Sequence, residues 1–252
     1  MKKTIVFLFA LVFIYSCTPQ DAPNTFTDSR DGKVYETVTI GEQVWMAENL
    51  AYLPSVVGPA TGSYTAPYYY VYGYDGTSVA TAKATANYTT YGVLYNWTAA
   101  MNGAASSISN PSGVQGVCPP GWHLPSDEEW TQLEEYLIAN GYNYDGTTTG
   151  NKIAISLASA NGWNSSTNPG AIGNTNTAYD AYRNKSGFSA LPGGCRYVDG
   201  AFRYLGDGGY WWSSTQYFTT GAWFRALTYD LSNVGRLYDS KELGFSVRCL
   251  RD

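Results

Sequence analysis

The chain has 252 residues, of which 44% are hydrophobic, so it can build one large core or two small ones. Only 14% are charged, against about 25% in ordinary globular domains, and the net charge is −5. No basic stripe is present, which excludes ordinary nucleic-acid binding. Tyrosine (23) and glycine (27) take the place of charge, a mixture suited to strands joined by many turns.

The first residues set the compartment. "MKK" is a short basic segment, and "TIVFLFALVFIY" is an apolar run too short to span a bilayer comfortably. It ends at Ser16-Cys17. Residues 1–17 therefore read as a bacterial lipoprotein signal, with Cys17 the lipidated first residue of the mature chain. "TPQDAPNTFT" (18–27) reads as a polar tether, leaving one domain over 28–252. The expected address is the cell envelope, as an outer-membrane lipoprotein held only by its lipid. With Asp21 the sole acid near Cys17, both the periplasmic and the surface face stay open.

"DGKVYETVTIGEQVWMAENL" (31–50) predicts a hairpin turning at Gly41. The tyrosine-rich stretch after it, with its Tyr-Asp-Gly turn signal, predicts loop and short strands. Residues 87–102 predict a helix, because Val93, Leu94, Trp97, Ala100 and Met101 share one face. A second helix follows Ser126. Ser126 and Glu129 form a capping box, Asp127 and Glu128 add negative charge to the first turn, and Trp130, Leu133, Leu137 and Ile138 make the apolar face. Asn140-Gly141 ends it. Residues 151–164 suit a brief helix or strand, and the chain from Gly187 onward suits short strands, with Trp211, Trp212 and Trp223 in the core.

Six stretches, in order, carry a resemblance: "DGKVYETVTIGEQVWMAENL", "YGVLYNWTAAM", "CPPGWHLPSDEEW", "GFSALPGGCR", "WWSST" and "GFSVRCLRD". Together they resemble the Fibrobacter succinogenes major paralogous domain, a family grouped with C-type-lectin-like folds. The resemblance implies an α+β, C-type-lectin-like domain with two helices, a curved antiparallel sheet, long loops on one side, and adjacent N- and C-terminal strands. Its members are typically exported proteins of gut and rumen Bacteroidetes and Fibrobacteres, often lipoproteins. The residues alone leave three pairings open among Cys118, Cys195 and Cys249. Relatives usually carry an aromatic where Cys195 stands. The resemblance thus implies a buried or partly buried Cys195 and a Cys118–Cys249 disulfide, with the state of the Cys195 thiol left open.

His123 is the only histidine. A Cys–His enzyme needs a thiolate against the imidazole, and a bridged Cys118 offers none. The competing reading is a packed loop leading into the helix, with His123 bonded to backbone. This second reading is preferred. No zinc-ligand spacing occurs, and Asp145 and Asn151 lack the order of a calcium loop, so no cofactor is expected, although a loop calcium stays open. Formylglycine-generating enzymes of the same broad fold need a copper-binding cysteine pair, which a single free cysteine does not supply. The expectation is a non-catalytic module that binds glycan or a cell-surface protein through aromatic loops, with Tyr69, Tyr72, Tyr74 and Trp163 as candidate contacts. The alternative is a structural subunit of an envelope or adhesin complex.

Overall fold

The structure, a computed structural model, describes residues 24–252. The signal, Cys17 and residues 18–23 of the tether lie outside the described residues. Residues 25–27, assigned to the tether above, instead form strand β1 (Thr25–Thr27), paired antiparallel with β2 (Val34–Ile40). Phe26 holds it by packing on Trp122, ring centroids 5.1 Å apart.

The predicted hairpin is present. β2 turns through Gly41, whose φ is +63°, into β3 (Gln43–Met46). The tyrosine-rich stretch is loop around a short strand, β4 (Tyr69–Tyr70), and it ends in helix α1 (Val79–Lys83). The single helix predicted over 87–102 is two. α2 (Ala86–Tyr91) stops at Gly92, strand β5 (Leu94–Tyr95) follows, and α3 (Trp97–Met101) begins after the Asn96 cap. Gly92 has φ +76°, and a Cβ there would sit 2.8 Å from the Leu50 carbonyl oxygen. Helical periodicity was real, but the close approach of residues 49–50 breaks the helix, and β5 pairs with β4 instead.

The strand β6 (Trp122–His123) leads into α4 (Asp127–Ala139), where the capping box forms in full. Ser126 Oγ accepts from Glu129 N, and Glu129 Oε2 accepts from Ser126 N. A brief helix, α5 (Ala154–Leu157), occupies part of 151–164. Strands β7 (Gly193–Arg196), β8 (Phe202–Leu205), β9 (Gly208–Phe218), β10 (Gly221–Thr228), β11 (Gly235–Ser240) and β12 (Leu250–Arg251) complete the chain.

The architecture is mixed α and β. There are five short-to-medium α-helices among the described residues rather than two, and only α4 exceeds six residues. The strands divide among several antiparallel sheets rather than one: a five-stranded sheet ordered β1-β2-β3-β12-β6, a three-stranded sheet ordered β11-β10-β9, and the pairs β4-β5 and β7-β8. β12 lies between β3 and β6, so the C-terminal strand joins the sheet of the N-terminal hairpin, with β1 at the far edge of the same sheet. Among the described residues no helix is long and apolar enough to cross a membrane.

Two clusters fill the interior. One joins Tyr95, Trp97, Trp122, Trp212, Phe224 and Phe245. The other packs Trp130, Leu133 and Leu137 of α4 against Ile40, Trp45, Phe188 and Trp211. Trp45 stands 4.7 Å from Trp130 and 5.7 Å from Phe188, centroid to centroid. Arg248 is buried in the same region, without an ion-paired carboxylate among the described residues. It donates to Asn49 Oδ1 and to the carbonyls of Met46, Phe188 and Ser189, and it lies over the Phe188 ring. Burial pulls its pKa down to about 9, which still leaves it charged at neutral pH.

Cys118 and Cys249 form a disulfide, and Cys195 is free and buried in β7. The bridge spans 131 residues and ties the segment before β6 to the one before β12. Reducing it should lower the unfolding free energy by about 2–5 kcal/mol, read as a drop in the urea midpoint with and without reductant. Cys195→Ser should leave that drop in place, since the third thiol takes no part in it.

Candidate functional site

Two of the concave surface features among the described residues bear most on function. The first is a cleft of 520 Å³ between β6, the start of α4, the loop at 110–115 and the end of the chain. His123 forms its floor and is not bonded to backbone, contrary to expectation. Its ring lies between two carboxylates, with Nε2 2.7 Å from Glu129 Oε1 and Nδ1 2.7 Å from Asp252 Oδ1. Glu129 has no spare oxygen, since its Oε2 also accepts from Ser126 N and Ser112 N. Carboxamides line the walls. Gln43 and Asn110 both donate to Gln132 Oε1, and Gln43 also donates to the Glu129 carbonyl.

Burial alone would lower the His123 pKa. The hydrogen bonds and charges of Glu129, and then of Asp252, outweigh it, and the net shift is upward. An imidazolium between two carboxylates donates to both. Neutral imidazole donates to only one. The cleft therefore uses its histidine as a clamp between α4 and the end of the chain. Its ring nitrogens are both engaged, and Cys118 is in the disulfide, so a Cys–His pair does not form here. Cys195 is no substitute, because burial pushes its thiol up to about 12.

The second feature lies at the tip of the β9–β10 hairpin and the adjoining end of β11. Phe218 pairs with Gly221 across the two-residue turn Thr219-Thr220, and Trp223 pairs with Tyr238 on β11. Register shifts on either side of Ala222 twist this end. The result is four rings in mutual contact. Tyr217 stacks on Tyr238 at 3.9 Å and also meets Phe218 at 4.6 Å and Trp223 at 4.8 Å. Trp223 is half-buried under them, not in the core as predicted, and Arg236 lies 4.0 Å above its ring. Tyr217, Phe218 and Tyr238 are 43%, 50% and 47% exposed, a concentration of solvent-facing aromatic surface that a monomer does not need for folding. Beside them is a 270 Å³ depression, where Tyr64, Phe218 and Tyr238 supply rings and Thr220, Asp239 and Ser240 supply polar groups.

The platform is anchored from below by a charge quartet. Arg225 on β10 donates to Asp127 Oδ1 and Glu134 Oε1, and Arg236 on β11 donates to both oxygens of Asp127. Desolvation would raise the Asp127 pKa, but its bonds to Arg236 and Arg225 lower it overall.

The four residues predicted as contacts are placed differently. Tyr69 packs edge-on against Tyr95, and Tyr72 packs on Phe202. Tyr74 is tied through its hydroxyl to the backbone of Ser78. Trp163 donates to Ser159 Oγ and lines a separate 260 Å³ cavity with Ile172, Asn174 and Arg183. No ring contact among the described residues joins Trp163 to the three tyrosines. Asp145 and Asn151 do not converge either. Asp145 pairs with Lys152 and Thr147, whereas Asn151 bonds Glu134 and Val234. The platform was missed because Tyr217, Phe218 and Trp223 read as ordinary strand residues. The available signal was Arg225, which shares Trp223's side of β10 and so marks that side as something other than plain core.

The raised His123 pKa fixes a pH dependence. A group whose pKa is higher folded than unfolded stabilises fully below its unfolded value, near 6.5, and loses that contribution as pH rises through the folded value. His123→Gln should therefore cost stability at pH 5–6, by about 1–3 kcal/mol. The gap to the parent protein should narrow in the alkaline range, followed as urea midpoints across pH. A gap independent of pH would contradict the clamp.

No curated protein sequence and no solved structure matches the chain. The Fibrobacter succinogenes major domain matches it over residues 38–251, from β2 through the cleft and the aromatic platform to β12. The chain therefore belongs to the Fibrobacter succinogenes major domain family.

Proposed function

We propose that this protein is a cell-envelope lipoprotein whose domain, of C-type-lectin-like type, binds glycan at the aromatic platform of the β9–β10 hairpin and β11. One observation carries the reading: four contacting rings, three of them about half exposed, border a depression whose polar groups suit sugar hydroxyls. Aromatic faces cover the apolar C–H face of a pyranose, and neighbouring hydroxyls and carboxylates fix its orientation. The reading of residues 1–17 as a lipoprotein signal supports this, since a module anchored in the envelope meets envelope or foreign glycans.

An assembly role is the second reading, and β11 favours it. This strand ends its sheet, and residues 236–239 are exposed along it, so a partner strand could pair there. Purification with a partner in fixed stoichiometry, without any free glycan binding, would select that role.

The test is titration of full-length protein in detergent against an oligosaccharide panel, with and without calcium. Phe218→Ala and Tyr238→Ala should each weaken the best ligand about tenfold, roughly 1.4 kcal/mol, with little change in melting temperature. Trp163→Ala should leave affinity unchanged. The opposite pattern would move the site to the loop around Trp163.

A further inference from the structure

We infer that the platform selects uncharged sugar rings over acidic ones, and that Asp239 sets this choice. The inference rests on the glycan-binding reading of the same site and adds the ligand class.

The depression beside the platform holds little charge. Asp239 is the one formally charged residue among those lining it. One of its oxygens accepts from Ser240 N at 2.7 Å, and its other oxygen is left to accept from a ligand hydroxyl. The cations nearby are already ion-paired or hydrogen-bonded, Arg236 while still half exposed over Trp223. Arg225 and Arg236 are matched by Asp127 and Glu134, two positive charges against two negative. Lys241 is buried beneath the hairpin turn. Its Nζ donates to Gln216 Oε1 at 2.6 Å and to the Thr219 carbonyl at 2.9 Å, and it lies 4.3 Å over the Trp97 ring.

A uronate, sialate or sulfated sugar would thus bring a negative charge to Asp239 and find no guanidinium or ammonium among the residues that line the depression. Like charges at such a rim repel, and the repulsion weakens with salt. A neutral ring meets no such penalty. Its hydroxyls have the carboxylate of Asp239 and the hydroxyls of Thr220, Ser240 and Tyr64 as partners. At 270 Å³ the depression is at the small end of ligand sites, the scale of a single ring and not of a long oligosaccharide.

The experiment compares neutral gluco-, galacto- and manno-oligosaccharides with their uronic-acid and sulfated counterparts, titrated into full-length protein in detergent at low and high salt. Neutral ligands should bind at least about tenfold more tightly at low salt. Asp239→Asn, which keeps an acceptor for Ser240 N, should bring the acidic ligands to within about threefold of the neutral ones. Asp239→Lys should reverse the order. Equal or tighter binding of acidic ligands by the parent protein would overturn the selectivity while leaving the platform a glycan site. So would an unchanged gap in Asp239→Asn. Absence of binding to every oligosaccharide would remove the glycan reading itself, and the selectivity with it.

Discussion

The first turn of α4 is the constraint on which both surface features depend. Ser126, Asp127 and Glu129 occupy four consecutive positions with Glu128, and three of the four side chains are committed to different parts of the molecule. Ser126 and Glu129 close the helix on itself. Glu129 then reaches His123, and through it Asp252, while also holding Ser112 of the loop that walls the cleft. Asp127 faces the other way. Its carboxylate takes both Arg225 and Arg236, and its backbone N–H donates to Thr215 of β9. One helical turn thus aligns the end of the five-stranded sheet on one side and all three strands of the aromatic sheet on the other. Its helix dipole favours those carboxylates, since the positive end of α4 points at them.

This arrangement explains how a chain so poor in charge still carries several buried ions. A buried ion pair is weak evidence for stability, because desolvation offsets most of the attraction. What the quartet of Asp127, Glu134, Arg225 and Arg236 supplies is direction. Forked guanidinium groups accept carboxylates in few geometries, so β10 and β11 cannot slide along α4 without breaking several bonds together. Arg248 works in the same manner without an ion-paired carboxylate among the described residues, where carbonyls of residues 46, 188 and 189 converge on it. The disulfide adds a covalent tie close by, at Cys249. The short elements of this fold are therefore held less by their own hydrogen bonds than by side chains that cross between them.

How far the sequence could be read follows from the range of each interaction. The capping box of α4 was legible because all of it lies within four residues. The β2–β3 hairpin was legible for the same reason, with its turn set at Gly41. The helix predicted over 87–102 failed at Gly92, where the obstacle is the backbone of Leu50, over forty residues away. His123 was expected to bond backbone but bonds Glu129 and Asp252 instead, and Asp252 is 129 positions distant, so no local pattern announces it. The pairing of Cys118 with Cys249 came from the family resemblance, not from spacing. Tyr69, Tyr72 and Tyr74 were chosen for local richness in rings and Trp163 for its place between Gly162 and Asn164, and neither signal distinguishes a ring that packs from one that faces solvent.

The platform shows what that distinction depends on. On β10, Ala222, Phe224 and Ala226 turn inward and Trp223, Arg225 and Leu227 turn toward α4. α4 begins at Asp127, beside Arg225 and Arg236, and the rings of Tyr217, Phe218, Trp223 and Tyr238 cover one another. Arg236, bonded to Asp127 and lying on Trp223, marks the boundary: below it the sheet face is helix-packed, above it the face is open. The charges that set this boundary are cancelled in setting it. The open face therefore meets solvent with aromatic surface, beside a depression whose one charged lining residue is Asp239, and on the glycan-binding reading proposed above the start of the helix sets both where a ligand would sit and how little charge it would find.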